Sequence, residues 1–253
     1  MAAKDFGPIE NDYSFFMAHA TEAESDVAEY TRELAGFADG RELIRLLDFG
    51  CGTGEFTQRL LSALNWPPEL LKMTFVEPVR HQREKAARKL AHDSQFPIET
   101  LETLPTVSEP QFDLMLSNHV LYYVDDLRST LQQLVNLLDL DGNLLLAIAG
   151  WDNSLIQIWK AGFELLGRPV PYHVSEDVET ILTAQGVRFR KSKSFYRLCF
   201  PDSVENRSKI LRFLFGEHLQ EISPHRLLTE FEHHVQDDQI QIETASDHFT
   251  IEV

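Results

Sequence analysis

A short apolar run that stops at three closely spaced glycines limits this chain more than any other feature. Residues 43–49 read Leu-Ile-Arg-Leu-Leu-Asp-Phe, and Gly50, Gly52 and Gly54 follow just as a helical pattern takes over at residues 53–65. An apolar run of this length predicts a buried strand, and the glycines predict a tight turn into a helix N-terminus. Glycine lets such a turn close and lets a ligand approach the backbone. The free N–H groups and positive dipole end of the helix favour a polar or anionic ligand. A phosphate loop would need Gly-Lys-Ser/Thr, which is absent. The dinucleotide fingerprint is spaced GxGxxG, whereas these glycines are spaced GxGxG.

The chain continues the alternation. Strands are predicted at 73–76, 96–101, 112–117 and 143–149. Helices are predicted at 80–92 and 127–139, with a turn at Asp141-Gly142. Strand–helix alternation is the mark of a parallel sheet covered on both faces. A helical pattern at 13–38 precedes this region. Helices at 151–167 and 175–185 follow it, the latter opened by Ser175 as a cap with acidic residues in its first turn. Residues 187–200 and 238–252 alternate as two late strands, with a mostly helical segment at 201–236 between them.

Composition narrows the function. The chain has 253 residues, 43 % hydrophobic and 25 % charged, enough to bury a core without disulfides or structural metal. A net charge of −17 argues against general nucleic-acid binding and would help attract cationic ligands. Cys51 and Cys199 are far apart and in no CxxC arrangement, and no His–carboxylate spacing reads as a metal site. Residues 1–12 carry no apolar signal region and no run reaches the length of a membrane span. The expectation is a cytoplasmic protein that does not enter membranes.

Three places carry chemistry. Asp48 ends the first strand just before the glycines. Glu77 ends the second strand, where a carboxylate in doubly wound nucleotide binders accepts hydrogen bonds from ribose hydroxyls. The stretch FDLMLSNHVLYYVDD at 112–126 then brings Asn118, His119, Tyr122 and Tyr123 to the sheet's carboxyl edge.

The string LLDFGCGTGEFT at 46–57 resembles motif I of class I S-adenosylmethionine-dependent methyltransferases, and 112–126 resembles their motif IV. The tetrapeptide Ser117-Asn118-His119-Val120 is not of the NPPY type, which argues against the members acting on nucleobase or glutamine amides. With its flanks, the chain is similar to histamine N-methyltransferase and its relatives. The matching segments are YSFFMAHATE at 13–22, VEPVRHQ at 76–82, LYYVDD at 121–126, WDNSLIQIWK at 151–160 and the ending FTIEV.

The resemblance implies an α/β, Rossmann-like, doubly wound sheet of seven mostly parallel strands with an antiparallel last strand and helical additions. Residues 1–40 would form a helical cap and 41–150 the donor-binding core. Residues 151–253 would hold acceptor-side helices and the last two strands of the same sheet. It implies S-adenosylmethionine as methyl donor, S-adenosylhomocysteine as product, and a small-molecule acceptor methylated on nitrogen or oxygen. The cofactor-binding set is Asp48, Gly50, Gly52, Gly54, Glu77, Gln82, Thr100, Leu101 and Asn118. The acceptor-binding set is Glu22, His119, Tyr122, Tyr123 and Trp159, with His119 and Tyr122 as candidate catalytic residues. The family's acceptor-binding glutamine is His119 here, and its late acceptor-binding asparagine has no clear counterpart, an ungapped match giving Thr244.

Other readings stay open on residues alone. Glu22 also reads as the surface of an acidic helix, and Trp159 as core with Ile156, Phe163 and Leu166. His119 reads equally as a hydrogen-bonded pocket residue or as a general base. For the whole chain the alternatives are small-molecule O- or carboxyl methylation, a nucleotide-dependent oxidoreductase and a non-catalytic donor-binding module. A monomer is expected.

Overall fold

Four largely apolar runs and one short polar edge segment form strands that pair in parallel. They are β1 (Ile44–Phe49), β2 (Leu71–Val76), β3 (Glu99–Leu101), β4 (Phe112–Asn118) and β5 (Leu138–Ile148). The computed structural model describes residues 9–106 and 111–252; the first eight residues and Val253 of the FTIEV ending lie outside them. β6 (Phe189–Pro201), the two-residue β7 (Val235–Gln236) and β8 (Gln239–Glu252) complete the sheet. Its order is β3-β2-β1-β4-β5-β8-β6, with β8 antiparallel to β5 and to β6, and with β7 paired to β8 off the main path. The sheet is therefore the expected seven strands plus one short addition.

Nine helices are described: α1 (Glu10–His19), α2 (Glu22–Glu33), α3 (Glu55–Leu64), α4 (Arg80–Lys89), α5 (Leu127–Leu137), α6 (Ser154–Leu165), α7 (Ser175–Ala184), α8 (Val204–Phe215) and α9 (Pro224–Leu228). They cover both faces, so the central strands are apolar on both sides. On one face Leu46, Phe75, Leu114 and Leu116 pack with Tyr30 of α2 and Leu60 of α3. On the other, Leu47, Met115, Leu146 and Phe249 pack with residues such as Leu131 of α5, Phe163 of α6 and Leu214 of α8. Each such leucine, fully buried, contributes about 1.5–3 kcal/mol of hydrophobic stabilisation. Strand order reverses between β1 and β4. In open α/β sheets that is where ligands bind, beyond the carboxyl ends.

Four local expectations are corrected. The helix read at 13–38 is broken at Ala20, which is extended and bridges Leu198 of β6. Thr21 N–H donates to the Arg197 carbonyl at 2.9 Å, a contact across 176 residues that no local pattern announces. Asp141-Gly142 is not a free turn before a strand. β5 runs through it, and the register moves from Phe112↔Leu138 to Leu114↔Asn143, with Asp141 at φ 61° absorbing the extra residues. Ser175 is not the cap of α7. Its hydroxyl donates to Asp247, and Asp177 instead accepts the Val174 N–H at 3.0 Å. Finally, β7 and β8 form a hairpin. Asp237 and Asp238 both have positive φ, as a two-residue turn of this hand requires.

Candidate active site

The glycine loop follows β1 directly, and α3 starts at Glu55 behind it. Gly50 has φ 79°, and a Cβ there would lie 2.3 Å from a methyl of Val120, so this glycine lets the loops after β1 and β4 touch. Gly54, at φ 75°, lets α3 approach Ala86 and Leu90 of the α4 segment. Gly52 differs. A Cβ there would meet only the Gln82 amide oxygen, at 3.9 Å, so the space above it is open. Asp48 is buried beneath the loop and accepts the Thr57 hydroxyl. Burial pushes its carboxyl up to about 7; the Thr57 hydrogen bond opposes that shift and Glu77 adds to it.

Glu77 follows β2 and stands beside the same opening. Its Oε1 accepts the Val79 N–H at 2.9 Å and its Oε2 the Gly52 N–H at 3.3 Å. Thr100 and Leu101 end β3 next to it, paired with Phe75 and Val76, and the Leu101 carbonyl accepts the Glu77 N–H. Asn118 ends β4; its amide donates to Asp26 at 3.3 Å, and its buried Oδ1 has no protein partner. The carboxyl ends of β1 to β4 thus gather all nine residues read as cofactor-binding.

The residues read as acceptor-binding gather around His119. This residue follows β4 with φ 57°, a conformation held by its N–H bond to the Ala147 carbonyl. His119 Nε2 lies 2.9 Å from Asp26 and 3.7 Å from Glu22, the first residue of α2. His119 Nδ1 lies 3.2 Å from the Tyr122 hydroxyl, which accepts the Ala149 N–H at 2.6 Å. Asp26 also accepts His248 Nε2–H at 2.8 Å. Ser246 Oγ lies 3.4 Å from Glu22, whose carboxylate also meets the Tyr196 hydroxyl.

The charges follow from these neighbours. Burial disfavours the His119 cation, but Glu22 and Asp26 outweigh it and push His119 up to about 9. Burial also opposes the Asp26 charge, yet His119 and His248 hold Asp26 below the usual carboxylate range. Glu22 shifts upward; burial and Asp26 together exceed the help from His119. Burial raises the Tyr122 and Tyr196 phenols, which stay neutral.

Tyr122 and Tyr123 form a 3-10 turn after β4, and their rings are 5.6 Å apart. Trp159 meets Tyr122 edge-on at 5.6 Å but is 3 % exposed, and its indole N–H donates to the Leu214 carbonyl. It stands behind Tyr122 in the core. Tyr172, not singled out in the sequence, closes this aromatic group at 4.6 Å from Trp159 and 5.4 Å from Tyr123. Thr244 accepts the Ser154 N–H and, with Tyr196 and Thr21, lines a cavity of about 740 Å³.

Asp26 and His248, like Tyr172 and Tyr196, are residues that sequence reading missed. One signal was present. Glu22, Asp26, Glu29 and Glu33 recur at the spacing usual for the buried stripe of a helix. Here that stripe is acidic, and it meets Ser246, His248 and Thr250 of β8 and Ser192 of β6.

The methyltransferase domain family matches residues 19–198 of this chain. Histamine N-methyltransferase B of Xenopus laevis is 22 % identical over 206 residues, which are 72 % of this chain and 69 % of that protein. Malonyl-[acyl-carrier protein] O-methyltransferase of Acetivibrio thermocellus is 29 % identical over 112 residues, 44 % of this chain and 38 % of that protein. The solved structure of the YcgJ protein from Bacillus subtilis shares the fold, with a TM-score of 0.57 at 14 % identity over 89 % of this chain and 98 % of that one.

Proposed function

Because the chain belongs to the methyltransferase domain family and is an S-adenosylmethionine-dependent methyltransferase, we propose that it methylates a nitrogen of a small amine- or imidazole-bearing acceptor held at Glu22. The observation that carries this reading is the Glu22 carboxylate, largely buried and 3.7 Å from His119, at the carboxyl end of β4 where the donor loop also lies.

The residues present fit the donor. The open space over Gly52, the Glu77 carboxylate beside it and the unpartnered Asn118 Oδ1 are what a nucleoside with an amino-acid tail needs. When bound, S-adenosylmethionine supplies an electrophilic methyl group on a positive sulfur. Glu77 would hold the ribose hydroxyls. Asp48, Gly50, Gly52, Gly54, Gln82 and Asn118 would surround the rest, and Thr100 and Leu101 would border the base. The chain's task is then to orient the acceptor. Positioning of this kind is worth up to about 7–11 kcal/mol of barrier. Glu22 holds the N–H-bearing group, while Tyr122 and Tyr123 wall it and exclude water. Trp159 supports that wall from behind.

A second reading has its own support. The His119 cation would suit a carboxylate acceptor, and one relative is named as an O-methyltransferase. Incubation with methyl-labelled donor and a panel of imidazoles, biogenic amines and small carboxylic acids separates the two. Label on a nitrogen is the expected result. Label only on carboxylic acids would favour the second reading, and no transfer despite donor binding would reject both.

A further inference from the structure

The Asp26 network is larger than methyl transfer by itself requires. Asp26 is fully buried, yet it takes Nε2–H from both His119 and His248, and the Asn118 amide as well. Among the described residues no Lys or Arg pairs with Asp26 or Glu22, so imidazole is the cation-forming group placed against these two neighbouring carboxylates. The remaining groups around them are neutral. They include Tyr122 and Tyr123 on the turn after β4, Tyr196 on β6, Ser246 on β8, Tyr13 of α1 near Glu22 and Tyr30 of α2 near Asp26.

We propose that the Glu22–Asp26–His119 triangle carries one exchangeable positive charge: a proton on His119 when the acceptor site is empty, and the acceptor's own ammonium when it is filled. This rests on the reading that the acceptor's nitrogen binds at Glu22; an ammonium has no lone pair, so before methyl transfer it passes one proton to the neutral His119 or to solvent. Two cations within reach of one partly exposed carboxylate repel each other in a low-dielectric site. Entry of an ammonium group at Glu22 therefore discharges His119, and one proton goes to solvent.

The geometry says which proton leaves. Asp26 fixes the Nε2–H at 2.9 Å, so the proton on Nδ1 is the one released. The Tyr122 hydroxyl, 3.2 Å away, then turns to donate to Nδ1 while it continues to accept the Ala149 N–H. His119 ends neutral in a single tautomer, held at both nitrogens. Asp26 acts through His119 and is a positioning residue. The ligand class that this exchange selects is a protonated amine, and affinity for it should rise with pH until His119 is already neutral.

Nitrogen-detected NMR of the His119 ring, in protein saturated with S-adenosylhomocysteine, tests the exchange. His119 should titrate near about 9, and E22Q should lower that midpoint by about one unit. Histamine or tyramine should lower it in the wild-type protein. Calorimetry in phosphate and Tris near neutral pH should show about one proton released per amine bound. Titration of His119 at the ordinary imidazole value would overturn the proposal, and so would a His119 that stays protonated in the presence of both amines. Label transfer is scored separately. An amine that discharges His119 without being methylated rejects the proposed reaction and keeps the exchange. An amine methylated with no proton released keeps the reaction and rejects the exchange.

Discussion

Asp26 of α2 and His248 of β8 are 222 residues apart in the chain and are joined by a 2.8 Å hydrogen bond in which both side chains are almost completely buried. The bond pins the helix that bears Glu22 to the strand beside β5. The Glu22 carboxylate, proposed to hold the acceptor, thereby acquires a fixed position relative to His119, although the two lie on separate elements.

Removing the Asp26 carboxylate should be costly. D26A leaves two histidines and an amide without their buried acceptor, and breaking a buried pair of this kind costs about 3–5 kcal/mol. Urea unfolding should show that loss without a large change in slope. A cost below about 1 kcal/mol would mean that the network contributes little to holding α2.

Stability should also depend on pH in a defined direction. The folded-state value for His119 is raised from the ordinary 6.5 to about 9. Its contribution is therefore complete below about pH 6.5 and disappears as pH rises through about 9. Asp26 is depressed, so its contribution is present above the usual carboxylate range and lost on acidification. Thermal scans of wild type and H119Q should differ in slope between about pH 6.5 and 9, the variant being flatter. Parallel curves would show that His119 does not titrate in that window.

Gly50 and Gly52 of the loop should fail differently. G50A places a methyl 2.3 Å from Val120 at φ 79°, so the fold itself should lose about 2–4 kcal/mol. G52A meets open space at φ 52°, so about 1–2 kcal/mol of backbone strain is expected together with a clear loss of donor affinity. Denaturant melts and S-adenosylhomocysteine calorimetry on both variants check this. Equal effects on stability would contradict the difference in packing.

The proposed ribose role of Glu77 predicts an effect on donor binding. E77A should weaken S-adenosylhomocysteine binding by about tenfold to a hundredfold, the scale of losing charge-assisted hydrogen bonds. Unchanged affinity would refute its ribose role.

Trp159 separates core from pocket. W159F keeps a ring against Tyr122 and Tyr172 but loses the N–H bond to Leu214. The expected result is a stability loss of about 1–2 kcal/mol with the acceptor KM unchanged. A raised KM with no stability change would place the indole in contact with the acceptor.

The sequence by itself determined the parallel core and the proposed donor side. Its apolar runs, the GxGxG turn and Glu77 at a strand end are local patterns, and local patterns set strands, turns and helix starts. They assemble because strands β1 to β4 all end at one edge of the sheet, where Asp48, Gly52, Glu77, Leu101 and Asn118 meet. Only the tertiary structure assembled the proposed acceptor side. The helix break at Ala20 depends on a bridge to Leu198, and the acidic stripe of α2 reads as solvent-facing until β8 and β6 meet it. A buried carboxylate is tolerated only where hydrogen-bonding partners arrive to compensate it. For Asp26 those partners are Asn118, His119 and His248, far from it along the chain and brought to it only by the sheet.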